Sequence, residues 1–198
     1  MPESQVYLMK TATGELLEAS LWDEVTDAHL AMWKHSWQPA MKSYCAGRPF
    51  ADKPEDHHWN WQWKASSWRP LLQYHSYAIT CEGGLQGLML LSDAEPARLS
   101  SQFGKPIVYI SFLATAPWNR PQVESPVRYR GVGTVMVAAA VELSISLGFH
   151  GRIGLHALSG AEGFYRRVCG MSELDPDEAH QGLIYYEMTE NQAEQFRR

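Results

Sequence analysis

Cysteine is scarce in this 198-residue chain: there are three, Cys45, Cys81 and Cys169, and no two stand in a CxxC spacing. That excludes a disulfide scaffold, a zinc ribbon and a thioredoxin-like redox pair, and free thiols fit a reducing compartment. Positive charge is in deficit, with 17 basic against 22 acidic side chains and a net charge of −5. Such a balance argues against a general phosphate-backbone binder, while leaving room for a local basic patch. Long apolar runs are also missing. The longest, Val135 to Val141, ends at Glu142 and falls far short of a membrane span. The first residues, MPESQVYLMK, lack the charged start and apolar stretch of a secretory signal. There is no internal repeat and no low-complexity tract. These absences lead us to expect a cytoplasmic protein with neither a membrane nor a nucleic-acid partner.

What is present is apolar and aromatic. The chain is 45% hydrophobic and holds eight tryptophans, four of them crowded into Trp59, Trp61, Trp63 and Trp68. One packed domain over residues 1–198 is expected from that length. Val6 to Met9 reads as a strand. Ser20 and Asp23 form an S-x-x-D helix start, followed by Leu30, Trp33, Trp37, Met41 and Tyr44 at helical spacing, with Pro39 ending or kinking the helix. Asp56 to Trp68 reads as a short helix or an irregular segment. Tyr77–Cys81 and Leu85–Leu91 make a hairpin about Glu82-Gly83-Gly84, and Ile107–Ala114 is apolar enough for a central strand buried on both faces. A helix from Val132 to Leu147 ends at Gly148, and Ile153–Ala157 is a strand. A further helix, Ser159–Val168, takes Ser159 as its cap, and Leu183–Met188 is a last strand before a polar tail. The fold class is α/β, with antiparallel strands early and a strand–helix–strand unit late.

The stretch Arg128-Tyr129-Arg130-Gly131-Val132-Gly133-Thr134 lies between the buried strand and the amphipathic helix. Glycines there let the backbone approach a ligand closely. Amides at the helix N-terminus, with the helix dipole, suit an anion such as a diphosphate, and Arg128 and Arg130 add charge beside it. The competing reading is an ordinary glycine-containing turn. A nucleotide P-loop fails because no Lys follows Gly133, and a dinucleotide fingerprint fails because Met136 stands at its third glycine position.

The R-x-x-G-x-G spacing of Arg128, Gly131 and Gly133 resembles the acyl-CoA pyrophosphate loop of the GNAT N-acetyltransferase superfamily. Downstream, Ala161, the Phe164-Tyr165 pair and Gly170-Met171 are similar to that superfamily's A-x-x-x-Y-x-x-x-G-F pattern. The resemblance covers roughly Ile107 to Met188. It implies a mixed, mostly antiparallel sheet flanked by helices, with Ile107–Thr115 as a splayed central strand. It implies acetyl-CoA as co-substrate, with Leu113, Ala114 and Thr115 as main-chain contacts. Arg128, Arg130 and Gly131, with the amides of Val132, Gly133 and Thr134, would hold the diphosphate. Tyr165 falls at the position of a general acid, and the implied reaction acetylates a primary amine of a small molecule, peptide or protein. The chain departs from the pattern in three places. Trp118–Val127 is inserted before the loop, Cys169 adds a residue after Tyr165, and Ile107–Thr115 carries no acidic residue.

A lysine-like amine, with a pKa of about 10.4, must lose a proton before it attacks. The candidate bases are Glu82, Glu124, Asp93 and Glu95, beside a water relay with no dedicated base. Trp59, Trp61 and Trp63 fall where an acceptor pocket is expected and could stack on a cationic or aromatic acceptor, although core packing competes for each ring. His57 and His58 lack a third ligand at regular spacing, so no metal is expected. Cys81 reads as a small apolar strand residue and His156 as a satisfied, semi-buried imidazole. A catalytically silent acyl-CoA sensor is the rival function. A tRNA-modifying toxin-type acetyltransferase is disfavoured by the acidic balance. A homodimer is compatible with the sequence.

Overall fold

The computed structural model describes residues 4–198. Nine strands form: β1 (Ser4–Lys10), β2 (Leu16–Trp22), β3 (Tyr74–Cys81), β4 (Gly84–Ser92), β5 (Val108–Thr115), β6 (Tyr129–Arg130), β7 (Ile153–Ala157), β8 (Ser172–Asp177) and β9 (Leu183–Met188). Six α-helices accompany them: α1 (Asp27–Met32), α2 (Gln38–Cys45), α3 (Trp61–Trp68), α4 (Val132–Ser146), α5 (Glu162–Arg167) and α6 (Glu190–Phe196). The sheet order is β6-β1-β2-β3-β4-β5-β7-β9-β8, mostly antiparallel, with β5 and β7 parallel. This is the mixed, helix-flanked sheet the sequence implied. The chain divides into two compact units, one of the described residues through Met89 with Leu113–Val135, the other of Leu90–Phe112 with Met136–Arg198.

In the first unit, Ala19 and Leu21 alternate inward along β2 and pair with Cys81 and Ile79 of β3. Ser20 therefore lies inside a strand and starts no helix, because apolar alternation outweighs the S-x-x-D signal. The cap falls later, at Thr26, whose hydroxyl accepts from the His29 amide. From there the chain is helical through a π-helical turn at Trp33–Trp37 and on into α2, which holds Pro39 in its first turn. The widened turn lies just where Pro39 offers no N–H, so the helix passes through the proline instead of ending at it. Trp33 and Trp37 are buried, and the Trp37 indole donates to the Leu85 carbonyl at 3.0 Å. The hairpin turn of β3 and β4 sits at Glu82 and Gly83, both at positive φ (48° and 73°), as a two-residue primed turn requires.

In the second unit, Val108–Ile110 of β5 pair with Ile153–Leu155 of β7. Ile107, Val108, Ile153 and Tyr186 are fully buried. Sequence reasoning overlooked β8, whose SELDPD string is poor in strand formers; Pro176 is tolerated because β8 is the last strand in the order. Ser159 does not cap a helix. It opens a short 3₁₀ turn, and α5 begins at Glu162 with no side-chain cap. The polar tail is helix α6, closed by a Thr189–Gln192 capping box. Glu187 of β9 is completely buried and accepts from the amides of Arg98 (2.6 Å) and Leu99 (3.1 Å), the Gln102 side chain (2.7 Å) and the Tyr185 hydroxyl (2.9 Å). Four donors on one carboxylate satisfy it without water.

Candidate active site

The glycine-containing loop is built from β6 and the start of α4, and its neighbours hold it on several sides. Met9 and Lys10 of β1 pair with Arg130 and Tyr129. The Thr11 amide donates to the Arg128 carbonyl at 3.0 Å, the Arg128 amide donates to the Trp118 carbonyl at 2.8 Å, and the Tyr129 amide donates to Asn119 Oδ1 at 3.0 Å. Gly131 then turns the chain at φ 95°, and the first α4 bond runs from the Val135 amide to the Gly131 carbonyl at 2.9 Å. The amides of Val132, Gly133 and Thr134 precede that bond, so they face the open end of the helix, where its dipole is positive. Arg128 and Arg130 are exposed beside them. The Arg128 guanidinium lies 4.9 Å from the centre of the Trp118 ring.

The inserted segment thus has a structural task. Trp118 supports Arg128, and Asn119 holds the Tyr129 amide. Their side chains also both donate to Oε1 of buried Gln86, at 2.9 and 3.0 Å. The Ala116 amide donates to the Gln86 carbonyl at 2.9 Å.

Glu82 belongs to the same construction. Lys10 donates to its carboxylate at 2.9 Å, and the Tyr129 hydroxyl donates to it as well. These bonds, Lys10 first and Tyr129 second, hold the Glu82 carboxyl below its usual range. A carboxylate stabilised in this way is a poor proton acceptor, and its evident work is to tie the hairpin turn to the loop. Glu124 is exposed on the inserted segment, where its amide donates to the Arg120 carbonyl at 2.9 Å. Of the strand residues singled out, Ala114 is buried and Leu113 and Thr115 are half-buried. The Thr115 carbonyl accepts from Arg120 Nε at 2.8 Å.

A cavity of about 250 Å³ lies in the same unit, with Trp33, Trp37, Trp59 and Trp61 in its wall together with Asp56 and Arg120. Trp59 and Trp61 meet edge to face at 6.1 Å. Arg120 Nη1 donates to Asp56 Oδ1 at 2.8 Å, with the side chains only 9% and 10% exposed. The Trp tract therefore splits. Trp61 is core and wall at once, Trp59 is wall, and Trp63, at 66% exposed, stands outside the cavity. His57 and His58 also reach the wall, with ring centres 5.5 Å apart. Lys64 places its ammonium 4.7 Å above the Trp59 ring, and burial lowers its pKa to about 8. Sequence reasoning missed Trp33, Trp37, Asp56 and Arg120 as lining residues. No local signal announces an ion pair formed across 64 positions.

Tyr165 lies in the second unit, on α5, and is buried with its ring centre 5.2 Å from that of Phe164 and 6.1 Å from that of Tyr186. Burial pushes its phenol well above the usual tyrosine range and pushes the nearby Cys169 thiol to about 12. Neither group is ionised at neutral pH. Among the described residues no helix is long and apolar enough to cross a membrane.

Solved structures share this arrangement of strands and helices. RimJ of Mycobacterium smegmatis, solved with CoA-disulfide, superposes with a TM-score of 0.59 at 13% identity, covering 96% of this chain and 88% of its own. A GNAT-family protein from Desulfovibrio desulfuricans gives 0.54 at 15%, covering 85% and 96%. The fold is that of the GNAT acetyltransferases. The PaiA N-acetyltransferase of Thermoplasma acidophilum, solved with coenzyme A, has the same GNAT fold with a TM-score of 0.52 at 11% identity, covering 86% and 98%. No protein-family model matches the chain, and no curated protein matches it in sequence.

Proposed function

We propose that this protein is an acyl-CoA-dependent N-acetyltransferase acting on a primary amine of a small molecule, peptide or protein. One observation carries the reading: Gly131 turns β6 into α4 so that three successive amides precede the first helical bond, with two exposed arginines alongside. That arrangement complements a diphosphate. The pantetheine arm follows the main chain of Leu113, Ala114 and Thr115, and backbone amides polarise the thioester carbonyl. The neutral amine attacks that carbonyl, the C–S bond breaks, and Tyr165 protonates the departing thiolate. Burial, which keeps the Tyr165 proton in place at neutral pH, raises the basicity of a thiolate in the same way. The amine's own proton leaves through water, since Glu82 is committed to Lys10 and Tyr129. The acceptor occupies the cavity walled by Trp59 and Trp61, whose faces suit a cationic or aromatic amine.

Thermal shift with acetyl-CoA, CoA and ATP, followed by an amine panel read by thiol release, tests this. Both CoA species should raise the melting temperature, and ATP should do so much less. Arg128→Ala with Arg130→Ala should weaken CoA binding, and Tyr165→Phe should cut thiol release while leaving CoA affinity intact. Absence of stabilisation by either CoA species overturns the reading. Stabilisation without release from any amine replaces it with an acyl-CoA-binding module.

A further inference from the structure

The second unit holds a cluster that the acyl-transfer reading does not use. His156 projects from β7, and Asp177 ends β8. A short 3₁₀ turn at Glu178–His180 follows, in which Asp177 Oδ1 accepts from the Ala179 amide at 2.9 Å. That turn brings His180 back over His156, with ring centres 3.7 Å apart and planes 11° from parallel. Both imidazoles aim a nitrogen at one atom, Asp177 Oδ2: His156 Nε2 from 3.0 Å and His180 Nδ1 from 2.9 Å. The His156 side chain is only 3% exposed, and its other nitrogen, Nδ1, lies 2.7 Å from the Tyr109 hydroxyl.

We propose that His156, Asp177 and His180 form a binding site for a divalent transition metal of the zinc class, held by His156 Nε2, His180 Nδ1 and Asp177 Oδ2, with a water as fourth ligand. Two imidazoles and one carboxylate are a zinc-type donor set; the two nitrogen–oxygen separations are close to those of atoms sharing one tetrahedral ion, and all three donor atoms lie within 4.8 Å of one another. Tyr109 supplies the outer contact that such sites use. By accepting from His156 Nδ1–H it fixes the tautomer that leaves Nε2 free to coordinate. Arg98 Nη1 also approaches Asp177 Oδ2, at 2.5 Å. In the tautomer that Tyr109 favours, His156 Nε2 carries no proton, so without an ion its lone pair faces the carboxylate oxygen across 3.0 Å. A metal between them displaces the Arg98 guanidinium, which already lies 4.5 Å from the Tyr185 ring centre and can remain stacked there. His180 must tilt out of the stack to place the ion in its ring plane. Its side chain is 42% exposed on a surface turn and has the freedom to do so. The bound ion clips the turn after β8 to β7.

Tag-free protein, stripped with a chelator and dialysed, is titrated at pH 7.5 with Zn²⁺ alone by calorimetry and with Co²⁺ alone by visible absorption. One equivalent should bind, with d–d bands of tetrahedral intensity. His180→Ala, a change at a half-exposed turn, should weaken binding by more than about tenfold, and Tyr109→Phe by about tenfold through loss of the outer contact. Arg98→Ala should tighten binding, because the guanidinium and the metal compete for Asp177. The double variant His57→Ala/His58→Ala should bind as the parent does. No stoichiometric binding, equal binding by His180→Ala, or loss of binding in the His57/His58 variant each overturns the proposal. Weaker binding by Arg98→Ala overturns the competition on which it depends.

Discussion

Arg120 and Asp56 form an ion pair at 2.8 Å with both side chains about nine-tenths buried, joining the segment after β5 to the one before α3. Removing one partner leaves the other charged and desolvated, which costs about 3–5 kcal/mol, whereas replacing both by apolar groups costs far less. Asp56→Ala should therefore destabilise more than the double change Asp56→Leu/Arg120→Met, as measured by urea denaturation. Additive losses would mean that the pair is solvated. Because both residues line the cavity, either single change should also disturb whatever binds there.

Gly131 separates backbone requirement from space. A Cβ at this position would meet nothing nearer than Leu8 Cδ2 at 3.9 Å, yet φ is 95°. The cost of Gly131→Ala is then backbone strain, about 1–3 kcal/mol, concentrated at the turn that aims the α4 amides. A modest fall in melting temperature with a disproportionate loss of CoA affinity is expected. Gly160→Ala is the control. It has open space and no positive φ, and should change neither quantity.

The contrast between these two sites explains what could be read from the chain. Gly131, Gly133 and the arginines are contiguous, so their chemistry is visible as a string, and Gly148 likewise closes α4 at φ 76°. Asp56 and Arg120 are each ordinary surface-type residues until the fold buries them together. The S-x-x-D signal at Ser20 was misleading because capping is a weak local preference, and inward packing of Ala19 and Leu21 overrides it. The SELDPD string of β8 gave no signal at all, since an end strand can dispense with the residues that mark central ones. The His156–Asp177–His180 cluster was hidden for the same reason: the turn that brings His180 back depends on a strand not visible in the sequence pattern.

Glu187 offers a second buried charge with a different expected response. Its partners are two main-chain amides, one side-chain amide and one hydroxyl, none of them charged. Glu187→Gln keeps the shape but turns an amino group toward groups that donate. A loss of about 3 kcal/mol or more is expected from unmatched, formerly charge-assisted bonds. Since the amides belong to Arg98 and Leu99, hydrogen exchange should quicken there first. A melting temperature equal to that of the parent would show that water replaces the lost acceptor.

Lys64 makes stability depend on pH in a direction opposite to that of a lysine gaining an anionic partner. Burial over Trp59 lowers its pKa from 10.5 to about 8. Below pH 8 the ammonium is charged in both states, and the folded state bears the desolvation cost. Between pH 8 and 10.5 the unfolded chain binds a proton that the folded chain has released, so this group's contribution to stability rises with pH. Lys64→Met removes the ionisable group while retaining contact with the ring. Its urea midpoint should exceed that of the parent by more at pH 7 than at pH 9.5. The same lowered pKa leaves a larger share of free amine near neutrality, so at pH 8 acetic anhydride should modify Lys64 ahead of exposed Lys34, as read by peptide mass. A midpoint difference that does not change with pH would place the ammonium in solvent, away from the Trp59 face.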